Sequence, residues 1–272
     1  MVIAFHPSVA GYRAPWPDSL RVAREAGFGA VDLDLEQMVD AHDPDDVRGA
    51  LEAAGLRAGA CPLPVEMRQD EATFEAGLAR FARVASFAAA VGVHAMHRSV
   101  PAASSRPAAE FVPVLRCRWR ACAAIAREHG VTLAVEPLGP LYRRRAGPHE
   151  ILWRLADVAA FADSCGPGVG LLIDSWHWHL GGSTAEEIAA LRGVVAHVHV
   201  ADVPPLPDDA QRDTERALPG EGVVDFEGFL RGVAGAGYDG IASLEIPGSW
   251  STGLEPLVAS QRALAAANGV MA

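Results

Sequence analysis

The chain has 272 residues, half of them hydrophobic, and a formal net charge of −11, so it can bury one large core while repelling phosphate backbones and anionic membrane surfaces. Neither nucleic acid nor membrane is therefore an expected partner. All 23 residues counted as Lys or Arg are arginines, which excludes Schiff-base catalysis, pyridoxal phosphate anchoring and a phosphate-loop lysine, each of which needs a primary amine.

The opening run VIAFH, residues 2–6, is the first predicted strand. No basic leader precedes it, and no later segment offers the roughly 18 uninterrupted apolar residues of a membrane span, so a soluble cytoplasmic protein is expected. Further strands are predicted at 30–34 (AVDLD), 56–61 (LRAGAC), 93–98 (VHAMHR), 131–136 (VTLAVE), 169–174 (VGLLID), 194–200 (VVAHVHV) and 240–246 (GIASLEI). Between and after them fall helices near 16–26, 44–54, 71–91, 107–129, 149–164, 184–191, 225–236 and 255–267. The EAGF, AAGL, REHGV and GAGYDG junctions repeat one device, a helix ended by glycine before the next strand. Strand then helix, eight times without a linker, predicts an α/β fold, a single-domain (β/α)8 TIM barrel over 1–272. The four cysteines, Cys61, Cys117, Cys122 and Cys165, have neither CxxC spacing nor disulfide-scaffold density, and read as reduced packing residues.

In such barrels chemistry is built at the carboxyl ends of the strands. Glu136 ends LAVE, Asp174 ends LLID, His199 lies in HVHV and Glu245 ends SLE. Uncompensated carboxylates crowded into one mouth repel each other and are costly to desolvate, and one divalent cation resolves that cost. Three carboxylates and an imidazole suit manganese, magnesium or cobalt, and admit zinc. His197, two residues before His199 on the same strand face, is assigned to the core. His97 ends the fourth strand and Trp176 flanks the ligand set; both are candidates for substrate contact, the tryptophan as an apolar face for a sugar ring. Cys61, before PLPVEM, reads as packing rather than as a nucleophile.

Over nearly its whole length the chain resembles the xylose-isomerase-like barrel superfamily of sugar isomerases and epimerases. The residues that carry the resemblance are Glu136 in LAVEP, Asp174 and His177 in IDSWH, His199 in HVHVAD, Arg216 in RALPGEGVVDF and Glu245 in GYDGIASLEI. It implies that Glu136, Asp174, His199 and Glu245 hold the metal and that His177 and Arg216 contact substrate oxygens. The implied substrate is a small carbohydrate-like hydroxy-ketone. With the ion polarising the carbonyl, Glu136 and Glu245, from non-adjacent strands, would serve as catalytic proton carriers on an enediolate. Dehydration, or the work of an accessory lyase subunit, uses the same parts and stays open; an abasic-site endonuclease shares the barrel but fits the charge poorly.

One departure from the resemblance is Tyr142, which stands where sugar 3-epimerases usually carry a further glutamate. Arg143 to Arg145 follow it and are candidates to neutralise an anionic substrate group. The loop 203–218, with its PPLPDD run, is expected to act as a lid or as a homo-oligomer contact. The plain alternative for Arg216 is an exposed arginine pairing with Glu215 or Asp213.

Overall fold

The computed structural model describes residues 1–10 and 15–271. Its strands in chain order are β1 (Val2–Phe5), β2 (Ala30–Val31), β3 (Arg57–Ala58), β4 (Cys61–Pro62), β5 (Ala95–Ser99), β6 (Ala103–Ser104), β7 (Thr132–Glu136), β8 (His149–Glu150), β9 (Val169–Asp174), β10 (Val195–His199) and β11 (Ile241–Leu244). Nine of them form one sheet in the order β3-β2-β1-β11-β10-β9-β7-β5-β4, paired in parallel throughout. The two ends of that order, β3 and β4, are halves of a single run interrupted at Gly59 and Ala60. The first half pairs with β2 and the second with β5, so the sheet closes on itself as a TIM barrel.

The outer helices begin and end where the capping chemistry dictates. Asp43 accepts from the Asp45 N–H to open Pro44–Ala54, Asp70 accepts from the Thr73 N–H to open Glu71–Val91, and both helices stop at a glycine. Their apolar faces pack on the barrel through fully buried side chains such as Phe81, Leu115, Trp119 and Phe229, in one core with strand residues such as Leu133 and Leu171.

Several expected elements differ in extent. The run 30–34 keeps strand pairing only over Ala30–Val31, because the residues beyond it turn into the short helix Leu35–Met38. The helix expected over 149–164 begins only at Leu155 and runs to Cys165. His149 and Glu150 are instead extended and pair antiparallel with β6, which spends their backbone groups on a sheet. A helix not anticipated from the pattern, Ser175–Gly181, starts directly at the end of β9, because the Asp174 side chain caps it by accepting from the Trp176 and His177 N–H groups. Among the described residues no helix is long and apolar enough to cross a membrane.

Candidate active site

Parallel register brings the ends of β9 and β10 to one level, beside the end of β7. His199 pairs with Asp174 and with Ser243, and Glu136 is the last residue of β7. Glu245 follows β11 immediately. Glu136, Asp174, His199 and Glu245 each offer one ligand atom, and these atoms lie within 4.8 Å of one another. His199 Nδ1 faces all three acids, 3.2 Å from Glu245 Oε2, 3.8 Å from Asp174 Oδ2 and 3.9 Å from Glu136 Oε1.

The electrostatics of this group are severe. Burial pushes the Glu136 carboxyl well above its ordinary range, and Glu245 adds to the rise. Burial opposes ionisation of Glu245 as well, but Arg216 and His199 outweigh it and hold that carboxyl well below its usual value. For His199 burial favours the neutral ring, and the three carboxylates reverse this, raising it to about 9. Glu136 Oε1 and both ring nitrogens of His199 are buried without a hydrogen-bond partner among the described residues. Convergent, buried, unsatisfied oxygen and imidazole donors fit one divalent cation, whose charge would relieve the repulsion and take up these atoms as ligands.

Around the four lies a shell organised by Arg216. The arginine is buried, and its guanidinium reaches Asp174 Oδ2 at 2.7 Å, Glu245 Oε2 at 3.1 Å and Asp213 Oδ1 at 2.9 Å. Pairing with Asp213 is thus real, but in a buried setting; Glu215 instead accepts from the Ser249 hydroxyl and N–H. His177, in the first turn after Asp174, places Nε2 3.6 Å from Asp213 Oδ1 and 4.0 Å from Glu136 Oε1, and burial lowers its proton affinity despite the acids around it. Gly139, in EPLGP, lets the backbone after Glu136 pack on this helix: a β-carbon there would lie 2.1 Å from the His177 carbonyl oxygen.

The loop 203–218 is tied down at both ends. Asp202 accepts from the N–H groups of Val203, Gly220, Gly222 and Val224, which shapes the PGEG turn. Asp213 accepts from the Tyr142 hydroxyl at 3.0 Å and from Arg143 Nη2 at 2.6 Å. Arg143, expected to be available to an anionic substrate group, is therefore committed to Asp213, and Arg144 stacks on Trp153 at 4.2 Å. Sequence reasoning named Asp213 only as a surface partner; its position against Tyr142, Arg143, His177 and Arg216 was not legible because these partners lie on three separate segments.

Trp176 departs from expectation. It is fully buried and lies outside the neighbouring cavity, and its face carries the Arg216 guanidinium at 5.0 Å, so it supports the arginine rather than offering a platform to a sugar ring. His197 is buried core, with Nε2 2.9 Å from Ser243 Oγ. Burial pushes the Cys61 thiol well above its ordinary range, as suits packing. His97 does reach the mouth: its ring stands edge-on to His199 at 4.9 Å, and burial depresses its proton affinity to about 3. It also lines a cavity of about 620 Å³ on the β1 to β4 side of the mouth, with His6 and Asp32. Those two residues were missed, although VIAFH and AVDLD carry the same signal, a polar side chain at the end of an apolar strand.

The family model of the xylose isomerase-like TIM barrel matches residues 20–267. The chain belongs to this family. Over 79 residues it is 32% identical to an inosose isomerase of Bacillus licheniformis, a match that covers 29% of this chain and only 28% of that protein. Its fold superposes on a xylose isomerase domain protein from Alicyclobacillus acidocaldarius with a TM-score of 0.91 at 25% identity, covering 100% of this chain and 98% of the other. It superposes on the IOLI protein, crystallised with a bound zinc atom, with a TM-score of 0.85 at 19% identity, covering 99% and 98%. Proteins similar to this chain include isomerases, epimerases and a dehydratase.

Proposed function

We propose that this protein is a divalent-metal-dependent isomerase or epimerase of a sugar or related cyclic hydroxy-ketone. Glu136, Asp174, His199 and Glu245 hold the ion, which is manganese, magnesium, cobalt or zinc. The observation that carries this reading is the meeting of those four side chains within 4.8 Å at the barrel mouth. When bound, the ion polarises the substrate carbonyl and so acidifies the neighbouring C–H.

The chain's own residues supply the rest. Glu136 ends β7 and Glu245 follows β11, strands separated in the sheet by β9 and β10, and so they approach a bound substrate from different directions. One takes the proton from the carbon beside the carbonyl, and the electron pair moves into the enediolate. Return of a proton to the same carbon on its other face inverts that centre; return to the adjoining carbon exchanges aldehyde and ketone. Arg216, braced by Trp176 and Asp213, offers its guanidinium to the developing oxyanion, and His177 holds a hydroxyl.

The test is solvent-deuterium incorporation into inosose and free ketoses by the manganese-loaded protein, followed by product analysis. Incorporation with an isomeric product supports the reading. Incorporation followed by loss of water would make the protein a dehydratase, and no incorporation into any cyclic or open-chain hydroxy-ketone would overturn proton transfer altogether.

A further inference from the structure

The half of the mouth built by β1, β2 and β4 contributes nothing to the four-residue cluster, yet it walls the 620 Å³ cavity, a volume in the range of built small-molecule sites. The cavity has apolar walls from Trp16, Leu33 and Met38, and reaches the cluster at His97. Asp32 stands in this wall, immediately after β2, and is 6% exposed.

Its two oxygens are treated differently. Oδ1 accepts from the Ala60 N–H and from the Ser243 hydroxyl, each at 2.9 Å, and Ser243 is in turn bonded to His197 Nε2 at 2.9 Å. The chain closes on it so tightly that a β-carbon at Gly59 would lie 2.1 Å from Oδ1, so the carboxyl is held in one orientation. Oδ2 is buried and has no hydrogen-bond partner among the described residues. A fixed carboxyl with one oxygen saturated and the other left without a donor is a costly arrangement that a ligand donor would relieve.

We propose that Asp32 is a specificity residue of this cavity: Oδ2 accepts a hydrogen bond from a hydroxyl of a neutral polyhydroxylated ring whose hydroxy-ketone edge faces the cluster. The orientation of the ring rests on the isomerase reading above; the binding itself does not. Neutrality follows from the lining. Asp32 itself presents its carboxyl in this wall, and no arginine is among the described residues that line it. A ring bearing a carboxylate or phosphate would set its charge beside the Asp32 carboxyl with no guanidinium among those lining residues to offset it.

The experiment is isothermal titration of the manganese-loaded full chain and its Asp32→Asn variant with myo-inositol, a neutral cyclitol that carries no ketone and cannot turn over, and with shikimate, a carboxylated ring of similar size. Asparagine keeps an oxygen for Ala60 and Ser243 and replaces Oδ2 by an amide NH2. Thermal unfolding and manganese titration of the variant verify that fold and cluster persist. The expected result is tighter binding of myo-inositol than of shikimate by the native chain, and a weakening of myo-inositol by about five- to hundredfold in Asp32→Asn without loss for shikimate. Native protein that binds no myo-inositol, a preference for shikimate, or equal myo-inositol affinity in the variant would each overturn the proposal. Failure of turnover with intact Asp32-dependent binding would count against the isomerase reading alone.

Discussion

Arg216 Nη1 donates to Asp174 Oδ2 at 2.7 Å, while Asp174 Oδ1 is spent on the cap of the helix that carries His177. The one aspartate thus orients the backbone on one side and offers its other oxygen to positive charge at the mouth. Removing Arg216 leaves Asp174, Asp213 and Glu245 without their shared buried counter-charge.

Arg216→Ala is accordingly expected to destabilise the metal-free protein by about 3–5 kcal/mol, on the order of 10 °C in Tm, because one partner of a buried charge network is lost. Manganese should restore part of that deficit, and kcat/KM should fall roughly ten- to thousandfold. Thermal unfolding with and without metal checks the first part; an unchanged Tm would mean that the guanidinium offsets none of the carboxylate repulsion.

Loading the four-residue cluster should raise Tm in proportion to RT ln(1 + [metal]/Kd), and a chelator should reverse the shift and abolish deuterium incorporation together. Alanine at His199 should remove both responses. Metal binding that survives in a variant lacking Glu136, Asp174 and His199 would place the ion elsewhere.

Glu136→Gln and Glu245→Gln test proton transfer apart from metal binding. The amide oxygen still coordinates weakly but takes no proton, so turnover is expected to fall by about a thousandfold or more while metal content falls less. Steady-state rates normalised to bound metal decide it. A fully loaded glutamine variant exchanging at the native rate would reduce that residue to a ligand.

Asp213 predicts the acid limit of the loop. Burial raises its carboxyl, but His177, Arg216 and Arg143 overcome this and hold it at about 2, below the ordinary range of an aspartate. A depressed folded value gives stability that is fully present above about pH 4 and lost as pH falls through 2, worth roughly 2 kcal/mol. Asp213→Asn should therefore lower stability at pH 7 and flatten its pH dependence between 4 and 2, as measured by denaturant unfolding.

Asp32 has the opposite sign. Burial raises it to about 6, against the pull of His199 and the Ser243 hydrogen bond, so its ionisation costs stability that is intact below about pH 3.8, declines between there and pH 6, and stays lost above. Asp32→Asn should gain stability relative to the native chain as pH rises from 4 to 7, even as it loses affinity for myo-inositol. A stability difference independent of pH would refute the linkage.

Much of this protein was legible in the chain itself. The alternation of apolar runs with capped helices, punctuated by glycine, dictates the barrel because strand and helix periodicities and their stop signals are local. The same local pattern marks Glu136, Asp174 and Glu245 as acids ending apolar strands, and places His197 and His199 on one strand face. What those positions do to each other was decided only by closure of the sheet. Closure sets Asp213 against Arg143, His177 and Arg216, turns Trp176 under the guanidinium instead of toward a substrate, and locks Asp32 between Ala60 and Ser243, 28 and 211 residues away. Those relationships join strands and loops distant in sequence, and no periodicity encodes which of two carboxylate oxygens is left without a partner.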